Sequence, residues 1–279
     1  MSMSVSVFAL VMLAAALHAT WNAVVKSGGD TMMTTAMVAG FAALIAVAAL
    51  PFLPAPALAS WPFIAASSVF QIIYYVLIAR TYRVLDMSQA YPLMRGTAPL
   101  LVAISSAPLL GEPLAPLAWF GVAVICAGIV SMAATRQPGQ GGGVSMALLN
   151  AVVIASYTLI DGAGVRRSGA PATYTLWLFL LTGAPFSIWA LCSRGQAFGR
   201  HVVGNWGLGL VGGLGTVGSY GLALWAMTVA PVAVVAALRE SSILFATAIS
   251  GLVLKETVSP GRIAGACIIA GGAAILRLT

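Results

Sequence analysis

The sequence predicts an all-α membrane protein of ten transmembrane helices, arranged as two inverted five-helix repeats. Three observations carry that prediction. Of 279 residues, 61% are hydrophobic and 7% are charged, with a mean hydropathy of +1.02. A water-soluble domain is typically about one-quarter charged, so lipid must solvate most of this surface. Cut at its charges and its proline and glycine clusters, the chain yields ten apolar segments, each near the roughly 20 residues that cross a bilayer core. The second half also repeats landmarks of the first, which is the step most worth testing in any long chain.

The composition excludes several kinds of function. A net charge of +7 is no nucleic-acid signal, because most basic residues fall in short connections, where they set membrane orientation. Nothing between the segments is long enough to fold as a water-soluble domain. A polytopic enzyme is a weak alternative: there is no paired-histidine metal motif and no clustered nucleophile and base. Cys126, Cys192 and Cys267 lie inside or at the ends of apolar segments and suggest neither a disulfide framework nor a metal site. No metal and no cofactor is expected. The opening run MSMSVSVFALVMLAAALHA lacks the basic region of a signal peptide and continues apolar to Val25, so it reads as a retained first helix.

Segment 1 is expected over 3–25, with His18, Trp21 and Asn22 at i, i+3 and i+4, a polar-aromatic face on an aliphatic helix. Segment 2, over 32–53, has no polar side chain past Thr35 and is expected to face lipid. Segment 3, over 61–80, places Gln71 and Tyr75 on one face with Tyr74 beside them. These lie too near mid-helix for the interfacial aromatic belt.

Segment 4, over 87–110, contains SQAYPLMRGTAP, residues 88–99. Pro92 and Pro99 each remove a backbone donor and kink a helix. Arg95 at bilayer depth costs about 2.5–3.5 kcal/mol on the lenient insertion scale. Tyr91, four residues earlier, shares its face. A charged, kinked helix of this kind lines a polar path through a membrane. Gly111, Glu112 and Pro113 make the next turn, and segment 5 is expected over 116–134.

The run RQPGQGGG, 136–143, is the one linker-like stretch. It divides the chain into a first repeat over 1–135 and a second over 144–279. Segment 6, over 144–165, presents Asn150, Tyr157 and Asp161 on one face. Segment 7, over 172–192, is mostly apolar, and a basic loop is expected over 194–201. Segment 8, over 203–228, is glycine-rich and carries Tyr220. Its G-x-G-x-x-G patterns lack the strand that a nucleotide site requires, so close helix packing accounts for them. Pro231 precedes segment 9, which carries Arg239 and Glu240; segment 10 is expected over 260–278.

At an offset of 144 residues Glu112 meets Glu256, Pro116 meets Pro260, Gly121 meets Gly265, Gly128 meets Gly272 and Arg95 meets Arg239. Near the start of each half the offset is 139, pairing His18 with Tyr157 and Asn22 with Asp161. Five segments per copy is an odd number, so the second copy enters the membrane from the opposite side. Odd-numbered connections hold eight Lys and Arg, against three on the other side. That bias puts both termini outside the cytoplasm, with Arg166 and Arg167 opposing it. Glu112 and Glu256 stand before segments 5 and 10, where a carboxylate suits a helix N-terminus.

The turn-and-helix pattern LLGEPLAPLAWFGVAVICAGIV, echoed as LVLKETVSPGRIAGACIIAGGA, resembles the hallmark of EamA-type transporters of the drug/metabolite transporter superfamily. ATWNAVVK and SYTLIDGAG add to the likeness, which spans both halves. It implies a ten-helix carrier of the bacterial inner membrane that exports amino acids or similar small metabolites. The second copy reads Lys255-Glu256-Thr257 where the first has Gly111-Glu112-Pro113, a departure confined to a turn.

A zwitterionic substrate needs a cation for its carboxylate, which Arg95 or Arg239 can supply, and an acceptor for its ammonium, which Asp161, Glu240 or helix carbonyls freed by kinks can supply. Trp21, Asn22, Gln71, Tyr74, Tyr75, Tyr91, Tyr157 and Tyr220 complete the candidate site, since aromatics offer apolar faces with polar tips. Structural ion pairing is the alternative use of the charges. His18, Asp161 and Glu240 are the candidate proton carriers. Pro92, Pro99 and Pro231 are the candidate hinges, about which the two five-helix halves would rock. The expected partners are a small-molecule substrate and the bilayer. A passive solute channel is the alternative function.

Overall fold

A computed structural model describes residues 3–85, 87–132, 141–252, 255 and 259–279, without the side chains of 79, 82, 87–89, 141 and 142. It is all-helical among those residues. The order is α1 (Val5–Ser27), α2 (Thr31–Ala49), α3 (Trp61–Val84), α4 (Met87–Leu110), α5 (Pro116–Ser131) and α6 (Gly141–Ser168). There follow α7 (Pro171–Arg194), α8 (Gln196–Ala226), α9 (Val232–Arg239), α10 (Ser242–Leu252) and α11 (Pro260–Arg277). Eight helical stretches are long and apolar enough to cross a membrane, α9 and α10 together forming one of them; α5 is apolar but shorter.

The helix ends follow from local chemistry. Asp30 caps α2, its carboxylate accepting from the Met32 and Met33 amides at 3.0 and 2.9 Å. Pro116, Pro171 and Pro260 open α5, α7 and α11, where a missing amide hydrogen costs nothing. Gly111 and Gly195 turn the chain with φ of 68° and 50°, a region closed to most side chains.

The structure corrects three expectations. The basic stretch 194–201 is no loop: Gly195 alone makes the turn and α8 starts at Gln196, with a kink at Asn205. Residues 141–143 of the linker belong to α6, while 136–140, and Glu256, lie outside the described residues. Segment 2 does not simply face lipid. Ala36, Met37, Ala42 and Ala46 are buried where α2 packs on α7 and α8. Side chains built at Gly209 and Gly212 of α8 would strike Phe41 and Val38 of α2. The glycine patterns of segment 8 are therefore packing surfaces.

Two pairs of equivalent helices, α5 with α11 and α2 with α7, pack against each other in antiparallel fashion. In the α5–α11 seam, Gly121 abuts Gly272 and Gly128 abuts Gly265, each within 3.3 Å of the other's carbonyl once a Cβ is built. Exchanging the repeats turns the first contact into the second. The α2–α7 seam also joins equivalent helices closely, bringing Gly40 to Ser187 and Gly183 to Ala43. Around these seams the repeats interlock: α3 packs on α6, and α1 on α8. A separation into two sequence halves would tear apart the broadest contacts in the bundle. The rocking halves expected from the sequence are not the packing units.

Candidate functional site

The charged residues converge where α4, α6, α8 and α9 meet. α4 carries Pro92, Pro99 and Pro108 within its length and still runs as one helix. It delivers Arg95 to Glu240, which sits at the break between α9 and α10. Arg95 Nε donates to Glu240 Oε2 at 2.9 Å, and Nη2 lies 2.9 Å from Oε1 without hydrogen-bond alignment. Both residues are buried, 8% and 4% exposed. A lone charge at that depth would cost several kcal/mol, so each is tolerable only beside the other. The offset of 144 aligns Arg95 with Arg239, but the ion pair forms with its neighbour, Glu240.

Asp161 on α6 is fully buried. Its Oδ1 accepts from the Tyr174 hydroxyl at 3.0 Å and its Oδ2 from the Tyr220 hydroxyl at 2.5 Å. Tyr220 in turn lies under the guanidinium of Arg239, 5.0 Å from ring centroid to Cζ, a cation–π contact. Sequence reasoning missed Tyr174. A tyrosine in the first turn of an apolar helix carries no mark that separates it from the interfacial belt.

The tyrosine candidates of α3 and α6 lie against one another and against α7. Tyr74 meets Tyr157 and Tyr75 at centroid distances of 6.1 and 5.6 Å, and Tyr75 stacks on Phe186 at 5.1 Å. Tyr91, Tyr157, Tyr220 and Arg239 keep part of their surface accessible. His18, Tyr91 and Tyr157 lie within Coulombic reach of both Arg95 and Arg239.

Other candidates are engaged locally. Trp21 Nε1 donates to His18 Nδ1 at 3.3 Å, Asn22 Nδ2 to the His18 carbonyl at 2.7 Å, and Gln71 Nε2 to Ser67 Oγ at 3.1 Å. The three expected proton carriers thus have different partners: Trp21 for His18, two tyrosines for Asp161, Arg95 for Glu240. Pro231 caps α9; the break in that span lies at Glu240 and Ser241 instead.

Glu112 also departs from expectation. The N-cap of α5 is Ala115, with no side-chain hydrogen bond. Glu112 Oε2 instead accepts from the Val232 amide at 2.9 Å, capping α9, and its other oxygen pairs with Arg166. Arg166 donates further to the carbonyls of Met227 and Ala230, at 2.7 and 3.0 Å. A separate apolar recess of about 300 Å³, lined in part by Met37, Phe41, Ala184 and Phe198, lies between α2, α7 and α8, away from the charges. No group of His, Cys, Asp and Glu suited to a metal occurs among the described residues.

A multi-pass helical bundle with charges and tyrosines gathered at its centre is the build of a membrane transporter. Residues 5–134 and 141–278 each match the model of the EamA-like transporter family, and the chain belongs to that family. The family fits within the drug/metabolite transporter superfamily. One solved crystal structure shares the fold at a TM-score of 0.76, with 20% identity over 97% of this chain and 96% of the other. No curated protein matches the chain.

Proposed function

We propose that this chain is a secondary transporter that exports small metabolites, amino acids foremost, across the bacterial inner membrane by alternating access. In this reading it crosses the membrane ten times as two inverted repeats, α9 and α10 forming one broken crossing. The observation that carries the proposal is the set of four ionisable side chains, Arg95, Asp161, Arg239 and Glu240, where helices of both repeats meet. Such charges are retained inside a membrane where a solute passes, and inverted repeats put that passage near mid-membrane. Tyr74, Tyr91, Tyr157 and Tyr220 would wall the substrate, and bending of α4 and of the α9–α10 break would open the chamber to either side.

Both termini would then face the periplasm. Arg166, which runs against the positive-inside count, has its charge met by Glu112, and Arg167 lies over the Phe63 ring.

The test compares metabolite efflux from expressing and control cells, then measures the exported compound in vesicles. A carrier gives saturable efflux and counterflow; unsaturable flux without counterflow would make the protein a channel. Arg95→Ala is expected to abolish efflux at normal expression, and full activity in that variant would remove Arg95 from the mechanism.

A further inference from the structure

We infer that the two repeat-matched arginines have different work: Arg239 holds the carboxylate of a small organic acid substrate, while Arg95 is a fixed tie between helices. The inference rests on the carrier reading above and narrows its substrate class.

The first ground is the use already made of each charge. Arg95 spends its guanidinium on Glu240. Arg239 has the face of Tyr220 and no carboxylate in contact among the described residues, and its Nε is buried without a hydrogen-bond partner. Its side chain remains partly accessible. An arginine fork matches a carboxylate bidentately. A buried donor left unpaired in a folded protein calls for an absent partner, and an incoming carboxylate oxygen would supply one.

The second ground is the lack, among the described residues, of a free anion for a substrate ammonium. The chain has six Asp and Glu residues. Asp30 caps α2, Glu112 holds Arg166 and the α9 amide, and Glu240 holds Arg95. Asp161 is fully buried beneath Tyr174 and Tyr220, so no ligand reaches it. Asp86 and Glu256 fall in the sequence between α3 and α4 and between α10 and α11. Among the described residues no carboxylate is left free for a substrate amine, which has tyrosine faces nearby instead. Recognition runs through the carboxylate and the apolar body, and an amino acid and its 2-hydroxy analogue should bind alike.

The test uses full-length protein in nanodiscs and three probes: L-leucine, 2-hydroxyisocaproate, which lacks the ammonium, and L-leucinamide, which lacks the carboxylate. Affinity is read by equilibrium binding. Leucine and the hydroxy acid are expected to bind within about threefold of each other, and both at least about tenfold tighter than the amide, the worth of one charge-assisted contact. Arg239→Gln should erase that preference and Arg239→Lys should keep most of it. Arg95→Gln, acting on the framework, should weaken acid and amide together and leave their ratio intact. Preference surviving in Arg239→Gln, or lost in Arg95→Gln, overturns the assignment. So does equal binding of leucine and leucinamide, or binding of none of the three. The efflux screen decides the carrier reading separately, since a transported cation or neutral solute would uphold it while ending this inference.

Discussion

Arg95 and Glu240 illustrate how a membrane bundle carries charge. Each is buried, and the ion pair they form spans α4 and the α9–α10 break. Removing one partner strands the other, at a cost of about 3–5 kcal/mol, whereas replacing both by apolar residues of similar volume is often neutral. Arg95→Ala and Glu240→Ala should each lower the melting temperature sharply, while Arg95→Met combined with Glu240→Leu should recover most of the loss. Equal melting of all three would mean the pair contributes little. The charged members were legible in the sequence because an ionisable side chain inside an apolar segment is costly and therefore rare. Their partners were not. Pairing depends on how helices cross, and an alignment of repeats reports equivalence, which is a different relation from contact. Hence Arg95 aligned with Arg239 but bonds Glu240, and Tyr174 gave no signal at all.

Helix positions were mostly readable to within a few residues because bilayer thickness fixes segment length, and prolines and glycines mark the ends. Breaks inside a segment were less so. The α9–α10 span stops at Glu240 and Ser241 without proline or glycine, and only the ion pair to α4 gives a reason for the geometry there. Glu112 shows the same limit. Its place before α5 suggested a local cap, yet folding brings the start of α9 closer to its carboxylate. Glu112→Gln keeps an acceptor for the Val232 amide and loses the ionic partner of Arg166. Glu112→Ala loses both. Thermal melts should therefore rank wild type above Gln and Gln above Ala, with about 1–3 kcal/mol between the extremes. An Ala variant as stable as wild type would show that the α8–α9 turn holds without this link.

At the scale of the whole molecule the repeat was visible in sequence, but the way its copies interlock was not, because hydrophobic spacing does not say which helix packs on which. That arrangement bears on how the proposed carrier moves. If the two open states are related by exchange of the repeats, a contact that maps onto itself survives the exchange. The α2–α7 seam is of this kind, since it joins two equivalent helices. The contact of Gly162 on α6 with Val232 on α9 is not: its image under the exchange lies in α1 and α4. One must open as the other closes. A Cβ built at Gly162 lies 3.3 Å from that of Val232, and one built at Gly40 lies 3.3 Å from that of Ser187, both close to disulfide geometry. In a background with Cys126, Cys192 and Cys267 replaced, oxidation of Gly162→Cys/Val232→Cys should stop counterflow and reduction should restore it. Oxidation of Gly40→Cys/Ser187→Cys should leave counterflow running. Counterflow through an oxidised 162–232 bridge would mean that α6 and α9 move as one body, and the exchange would have to be sought elsewhere in the bundle.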